Sequence, residues 1–417
     1  MEYKELAKLY HLDASASRES NLQSEERSRR EAASTFRINL ETPNGKLFIA
    51  VPRELSVLSE KVLRAEHRVS AAMRSLPGIS ASAVMRSLVL DEVVYTNAIE
   101  DIHSTRRQVK EALEATKGAP DARRFKELAI LYLSIPEGDA LVPAKPEDIR
   151  TIYDKVMDGE LADGQIPDGR IFRKDGVDIT AGGVAVIHRG IEPESKIIEA
   201  VQTMLYLVES GDMPALYAAI ASHYIFEYAH PFYDGNGRTG RYLLSLFLSE
   251  SLSVPTVLCL SRMILENRDT YYKAFRIAEN PLNRGELTFF VHSMLELLLG
   301  AQVGILDRLE RSKTILDGLD ESMNAAKRTY RLKPQECQIV FTLMQYESFG
   351  LMGDASVEEL SRLLSLGYQM TRLYLKALEE KGIVGKLRKR NPLTFALTAK
   401  FMKEYEVEAP EWRIPVV

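Results

Sequence analysis

The stretch HPFYDGNGRTGR, residues 230–241, brings a histidine, an aspartate, three glycines and two arginines together within twelve residues. A glycine-rich turn that leads into a helix presents free backbone amides to an anion, and arginines can pair with its negative charge. The histidine is the one side chain here that titrates near neutral pH, so it could act as a general base. This combination predicts chemistry on a bound phosphate ester.

The glycines of this stretch also satisfy G-x-G-x-x-G, a pattern of dinucleotide-binding folds and of protein kinases. Its surroundings exclude both. The preceding residues, MPALYAAIASHYIFEYA, have helical periodicity, whereas a dinucleotide site needs a buried strand there. The flanking strands and catalytic Asp loop of a kinase are missing from the sequence pattern, as is the Gly-Lys-Ser/Thr of a Walker loop. Pro231 predicts that the first helix ends at His230.

A second helix is predicted to begin within RTGRYLLSLFLSESL, directly after the turn. Gly235 and Gly237 carry no side chain that would block a phosphate. Arg238 and Arg241 are three residues apart, so both are expected on one face of the first turn, where a cation is unfavourable to the helix dipole unless an anion is bound. Asp234 offers an oxygen ligand that suits Mg²⁺ held jointly with phosphates.

With these residues the stretch resembles the Fic family, whose motif H-x-F-x-[D/E]-G-N-G-R-x-x-R it fits at every position. The resemblance extends over residues 90–300 and implies a protein adenylyltransferase, which moves AMP from Mg²⁺–ATP to a Ser, Thr or Tyr hydroxyl of a target protein. It implies these roles: His230 as the base, Phe232 as the buried anchor of the loop, Asp234 as the Mg²⁺ ligand, Asn236 with Gly235, Gly237 and Gly240 as the phosphate cradle, and Arg238 and Arg241 as clamps on the outer phosphates.

Two further segments correspond in place to parts of this family. VDITAGGVAVI alternates apolar and small or polar residues around Gly182 and Gly183, which predicts a hairpin. The resemblance makes it the flap that holds a target segment by strand addition, and a purely structural hairpin is the alternative. NRDTYYKAF is similar to the segment that supplies part of the adenine wall; Tyr272 is the candidate residue there, with core packing as the alternative.

The segment TNAIED resembles the family's inhibitory motif, [S/T]-x-x-x-E-[G/N]. Thr96 and Glu100 fit, whereas Asp101 stands where the family has Gly or Asn, which leaves the strength of inhibition open. The resemblance implies that Glu100 pairs with Arg241 and withholds it from the γ-phosphate. The alternative is a solvent-facing glutamate on a charged helix. In some relatives the same glutamate helps to remove AMP, so removal of AMP is a further expectation.

The elements that must position these residues are mostly helices. Residues 1–35 are polar and are expected to be mobile or solvent-facing, and TFRINLE and KLFIAVP predict a hairpin around TPNG. The fold class expected is mainly α: an all-helical Fic core with a β-hairpin flap, plus a C-terminal winged helix-turn-helix domain. The domain boundaries expected are 1–116 for an N-terminal region with the inhibitory helix, 117–328 for the catalytic core and 329–417 for the winged helix.

The C-terminal segment shows three helical patterns followed by two strands, the order of a winged helix-turn-helix. DNA binding and protein contacts or dimerisation are both open for it. A basic turn, GKLRKRNP, favours DNA, whereas Glu379 and Glu380 favour protein contacts. In the third helix the residues expected to be exposed are Gln369, Thr371, Arg372 and Lys376, and those expected to pack inward are Leu373, Tyr374, Ala377 and Leu378.

Composition limits the remaining classes. The chain has 417 residues and a net charge of -5, which argues against an overall nucleic-acid-binding surface. Its two cysteines match no metal or redox spacing, and the N-terminus lacks the apolar core of a signal peptide. We expect a cytoplasmic protein without a membrane partner, and a homodimer is a further expectation. A DNA-binding regulator whose core senses nucleotide is the alternative to a self-inhibited adenylyltransferase.

Overall fold

Helices make up most of this chain, which confirms the prediction of a mainly α protein. The computed structural model describes residues 2–114, 125–181, 185–349, 353–388 and 393–409. The helices are α1 (Leu6–Leu12), α2 (Arg18–Glu31), α3 (Arg53–Arg74), α4 (Gly78–Ile99), α5 (Arg106–Glu114), α6 (Lys126–Glu137), α7 (Pro146–Val156), α8 (Glu194–Ser210), α9 (Ala215–Ala229), α10 (Asn236–Leu248), α11 (Val254–Val257), α12 (Leu260–Glu266), α13 (Arg268–Ala278), α14 (Thr288–Thr329), α15 (Pro334–Phe349), α16 (Val357–Leu363), α17 (Tyr368–Glu380) and α18 (Ala399–Glu404). The strands are β1 (Phe36–Thr42), β2 (Gly45–Ile49), β3 (Asp178–Ala181), β4 (Ala185–Arg189), β5 (Asp354–Ser356), β6 (Val384–Arg388) and β7 (Thr394–Leu397).

The chain forms two compact units, one of residues 1–68 and 89–305 and the other of residues 69–88 and 306–417. The domain boundaries at 116 and 328 stay a prediction. The first of them falls within residues 115–124, which lie outside the described residues.

The N-terminal segment of the first unit is helical and largely solvent-facing, in line with one of the two alternatives expected for it, and a few buried residues dock it. Leu6 of α1 and Leu22 of α2 are buried. The buried Arg29 pairs with Glu286 at 2.9 Å, and its guanidinium lies over the Tyr3 ring. A few buried apolar side chains and one buried ion pair hold this segment. Its polar composition gave no indication of these contacts. The predicted hairpin that follows is confirmed, because β1 and β2 pair antiparallel up to the Thr42–Gly45 turn.

The centre of the first unit is α9, which packs between α8 and α10. Most of its residues are apolar and buried, as expected for a helix enclosed by other helices. Helix α10 is also buried along most of its length. The turn between these two helices is therefore held by two enclosed elements, and it forms the first half of the motif of residues 230–241, whose second half begins α10.

Helix α14 is long and apolar enough to cross a membrane by length and composition alone. Its most apolar 18-residue window has a mean hydropathy of 1.6 and is 56% buried within the protein. Core helices pass the same test, so the expectation of no membrane partner stays a prediction.

The second unit contains α15, α16 and α17 and an antiparallel sheet with strand order β5-β7-β6. Its core includes Val340 and Leu343 of α15, Leu360 of α16 and Leu375 of α17, together with Phe395 of β7. Helix α16 begins at a side-chain cap, in which the Ser356 hydroxyl accepts a hydrogen bond from the amide of Glu359 at 3.1 Å.

Two positions on α17 were predicted wrongly. Thr371 is fully buried and its hydroxyl bonds the Gly367 carbonyl, whereas Leu373 is 58% exposed. Of the basic turn, Lys386 pairs with Glu379 at 2.8 Å. Residues 389 and 390 of the same turn lie outside the described residues.

Candidate active site

The chain leaves α9 at His230, which has left-handed backbone angles of φ 48° and ψ 62°. This geometry ends the helix where Pro231 predicts it to end, and the His230 amide still bonds the Phe226 carbonyl at 2.9 Å. Phe232 then turns inward, is fully buried, and stacks on Tyr153 with ring centroids 3.6 Å apart. The loop is thus anchored directly beyond the histidine.

The His230 ring is partly buried. Its Nδ1 lies 3.4 Å from the carbonyl of Glu227, so the tautomer that this contact favours carries the proton on Nδ1 and leaves the Nε2 lone pair available. Burial is the main cause that lowers the pKa of His230 to about 4. The imidazole is therefore neutral at physiological pH, the form that accepts a proton.

Helix α10 begins with an open anion-binding end. Its first residue follows Gly235, which has φ +76°, and no side chain caps the helix. Asn236 does not point outward, because its amide bonds both the Phe232 amide, at 3.0 Å, and the Phe232 carbonyl, at 2.8 Å. In this arrangement the Asn236 side chain closes the loop, and the backbone amides of the first turn remain for an anion.

A carboxylate from another helix lies at this end of α10. Glu100, just beyond α4, accepts a hydrogen bond from Arg241 Nη2 at 2.7 Å, while Arg241 Nε bonds the Thr96 hydroxyl at 2.8 Å. A side chain on Gly237 would collide with the Glu100 carboxylate, so this carboxylate lies directly over the first turn of α10. Burial alone would lower the pKa of Arg241, but the paired Glu100 raises it above its usual range, which keeps the guanidinium charged.

Asp101, at the position where the sequence resemblance expects Gly or Asn, also has left-handed backbone, with φ 56°. Gly, Asn and Asp share a tolerance for that region, which accounts for the substitution. Arg268 Nη1 donates to Asp101 Oδ1 at 3.1 Å, and its Nη2 donates to the Ile99 carbonyl at 2.7 Å. The end of α4 is thereby tied to α13.

The two arginines of the motif have separate partners. Arg238 Nη1 bonds both carboxylate oxygens of Glu160, at 3.0 and 2.9 Å, and its Nη2 lies 2.9 Å from the Met157 sulfur. A separation of three residues places Arg238 and Arg241 about 60° apart around the helix axis. This angle is enough for two long side chains to reach different partners. Only Arg241 reaches the carboxylate over the helix end.

Asp234 is exposed, and Gln165 donates to its Oδ2 at 3.0 Å. Within the described part of the chain no cluster of three His, Cys, Asp or Glu side chains is present that could hold a metal alone. One accessible carboxylate beside an anion-binding helix end fits Mg²⁺, which usually binds one or two carboxylates together with substrate phosphates and water.

Gly240 and Tyr272 lie at the sides of this site. A side chain on Gly240 would collide with Glu227, so this glycine serves the close packing of α9 against α10. Tyr272 is half-buried on α13, with the Arg268 guanidinium 5.8 Å from its ring centroid. The hairpin strands β3 and β4 pair antiparallel, but Gly182 and Gly183 at their turn lie outside the described residues.

Three residues near the site escaped sequence reasoning. The carboxyl of Glu227 is buried, which raises its pKa to about 8. His188 on β4 donates from Nε2 to the Tyr228 carbonyl at 2.8 Å, and its Nδ1 lies 3.0 Å from Glu279 Oε2. Arg173 is fully buried beneath His230. His188 and Arg173 lie far from the motif in sequence, and Glu227 lies on α9 before it, so motif spacing carried no signal for them.

Part of this chain is similar to known proteins. Residues 143–248 match the Fic/DOC family. Protein adenylyltransferase Fic of Drosophila ananassae is 27% identical over 251 residues, 57% of this chain and 45% of that protein. Protein adenylyltransferase fic-1 of Caenorhabditis briggsae is 36% identical over 104 residues, 24% of this chain and 18% of that protein. The chain spans less than half the length of these relatives. The crystal structure of a Fic family protein from Desulfovibrio desulfuricans G20 aligns with a TM-score of 0.49 at 19% identity, covering 84% of this chain and 97% of that one.

Proposed function

We propose that this chain is a self-inhibited protein adenylyltransferase, which transfers AMP from Mg²⁺–ATP to a Ser, Thr or Tyr hydroxyl of a target protein or of itself. The observation that carries the proposal is a neutral histidine beside an uncapped helix end, over which Arg241 holds the carboxylate of Glu100. An internal carboxylate paired with a buried arginine marks a site built for anions. The names of the relatives support adenylyl transfer as the reaction.

In the proposed reaction His230 Nε2 takes the proton of the target hydroxyl as its oxygen attacks the α-phosphorus of ATP. A bond forms between that oxygen and the α-phosphorus, and the bond from the α-phosphorus to the bridging oxygen breaks, releasing pyrophosphate. Transfer of this kind relies on positioning and on neutralisation of charge. The first-turn amides of α10 and the guanidinium of Arg241 supply both. Asp234 would hold Mg²⁺, which would neutralise charge on the phosphates.

Inhibition follows from competition for one guanidinium. Glu100 and the outer phosphates of ATP are both anions, and both require Arg241 at the same helix end. While Glu100 holds Arg241, ATP binds without that contact and without the pose that the contact enforces. The two interactions exclude each other, so each weakens the other by the same factor.

DNA binding is not favoured as the main function. We assign the second unit to the winged helix class on its element order, but α17 exposes Met370 and Leu373, where a DNA reader needs polar groups. Glu379 also neutralises Lys386 of the basic turn.

The position of the label in ATP tests the reaction. With Mg²⁺ and Glu100→Gly protein, ATP labelled in the α-phosphate should label the chain or a partner protein, whereas γ-labelled ATP should not, because pyrophosphate leaves. Labelled protein is read out on a denaturing gel. Transfer of the γ-label instead would make this chain a phosphotransferase.

The lowered pKa of His230 predicts an unusual pH profile. The base must be neutral, so activity is lost only as pH falls through about 4. In the Glu100→Gly protein, kcat/KM for ATP at pH 5.5 should stay above half its value at pH 7.5, whereas a histidine with the ordinary pKa of about 6.5 would lose roughly tenfold.

Folding must be checked in the same samples, by circular dichroism. The folded-state pKa values of His230 and the buried His223, about 4 and about 3, lie below that of an unfolded histidine. The unfolded state therefore binds protons first, and stability falls as pH drops below 6.5. A tenfold loss of kcat/KM in protein that is still folded at pH 5.5 would contradict the assignment of a buried, neutral base.

A further inference from the structure

Arg173 is a fully buried arginine whose guanidinium bonds only backbone carbonyls. Its Nε donates to the His230 carbonyl at 2.7 Å and its Nη1 to the Asp175 carbonyl at 2.6 Å. Its Nη2 donates to the carbonyls of Ile191, at 2.9 Å, and Ala229, at 3.2 Å. No ion pair to Arg173 occurs among the residues that the structure describes. A buried charge without a counterion is costly, so the carbonyls must replace its hydration in full.

Two of these carbonyls, those of Ala229 and His230, belong to the end of α9, the negative pole of that helix, where a cation is stabilised. The backbone amide of Arg173 also donates to the Pro231 carbonyl, at 3.1 Å. One residue thus bonds three successive carbonyls, those of Ala229, His230 and Pro231. A lysine could not replace it, because its ammonium lacks the planar fork of donors.

His230 needs such support because its left-handed backbone is unfavourable for a residue with a side chain. Conformations of this kind persist only where the surroundings enforce them. We infer that Arg173 is a positioning residue, which holds the backbone of His230 left-handed and so aims its ring at the anion site. The inference rests on the proposed role of His230 as the base.

The same guanidinium also bonds the base of the β3–β4 hairpin, through the carbonyls on either side of it. Gly190 makes this possible: a side chain there would overlap Arg173 Nη2 and lie 3.1 Å from His230 Cβ. The backbone of Gly190 is not left-handed, so alanine is excluded by space alone. Gly190→Ala therefore disturbs Arg173 without removing its charge.

Kinetics in a Glu100→Gly background test the inference. Arg173→Lys should lower kcat about 100-fold, the effect of a misplaced catalytic group, and leave KM for ATP within about twofold, because the phosphates bind α10 and Arg241. Gly190→Ala should lower kcat in the same direction, and the exposed Arg170→Gln serves as the matched control with unchanged kcat. Unchanged kcat in both Arg173→Lys and Gly190→Ala overturns the inference.

A pH readout separates positioning from a general loss of folded protein, which would scale kcat equally at every pH. The titratable groups that face His230 are His188 on β4, Arg173 and Glu100, the last absent in this background. Arg173→Gln removes a nearby cation and a restraint on the ring, so the pKa of His230 should rise. The fall of kcat/KM at low pH should therefore begin at a higher pH. If the pH of this fall does not change, Arg173 has a structural role only.

Titration of the ring by NMR of histidine-labelled protein keeps the test independent of activity. The His230 resonance should titrate at higher pH in Arg173→Gln than in the parent protein. If the parent transfers no AMP but this shift occurs, the proposed function fails and the positioning by Arg173 holds. If transfer is intact and no shift occurs, Arg173 does not position His230.

Discussion

His230→Ala should lower AMP transfer by about 10²- to 10⁴-fold, the range expected when a general base is removed. The change is made together with Glu100→Gly, so that the parent reaction is measurable. The variant loses the neutral imidazole of His230, while the amides of α10 and Arg241 should still bind phosphate. The measurement is the initial rate of transfer from α-labelled ATP at pH 7.5, with ATP binding followed separately by calorimetry.

His67 is exposed on α3, so His67→Ala is the matched control and should keep the parent rate. ATP affinity in His230→Ala should stay within a few-fold of the parent value, because the ring is not part of the phosphate cradle. AMP transfer that persists in His230→Ala would contradict the proposed reaction, in which His230 is the base. Loss of both transfer and ATP binding would show instead that the histidine supports the loop.

Glu100→Gly should raise the rate of AMP transfer by on the order of 10- to 100-fold, as expected for a coupling of a few kcal/mol between two mutually exclusive ligands. The substitution removes the carboxylate 2.7 Å from Arg241 Nη2 and leaves that guanidinium for the γ-phosphate. Glu100→Gln keeps the side-chain volume and one acceptor oxygen but not the charge, so an intermediate rate is expected.

A matched control is Glu111→Gln, which removes an exposed carboxylate that pairs with Arg107 on α5. Its rate should equal that of the wild-type chain. Because Arg241 is buried and loses its partner in Glu100→Gly, ATP should raise the melting temperature of this variant more than that of the wild type. Equal rates in wild type and Glu100→Gly would mean that the Glu100–Arg241 pair does not inhibit.

The order of elements around the site was predictable because it depends on local chemistry. Pro231 stops α9, and the glycines after Asp234 open α10, whatever the rest of the chain does. The same holds for the TPNG turn between β1 and β2. The burial of individual helix residues was predicted wrongly where it depends on which neighbour covers a helix face, as at Thr371 and Leu373 of α17.

The sequence by itself determined which chemical groups this protein carries and that a histidine, an acid and two arginines surround a helix end. Only the tertiary structure decided which partner each side chain bonds. Arg241 pairs with Glu100, Arg238 pairs with Glu160, and the Asn236 amide bonds the backbone of the loop. The tertiary structure also decided that Arg173, 57 residues before His230, holds it in place. The physical reason is that a guanidinium or a carboxylate binds whichever partner folding brings within hydrogen-bond distance, and sequence spacing records this only for neighbours on one helix or turn.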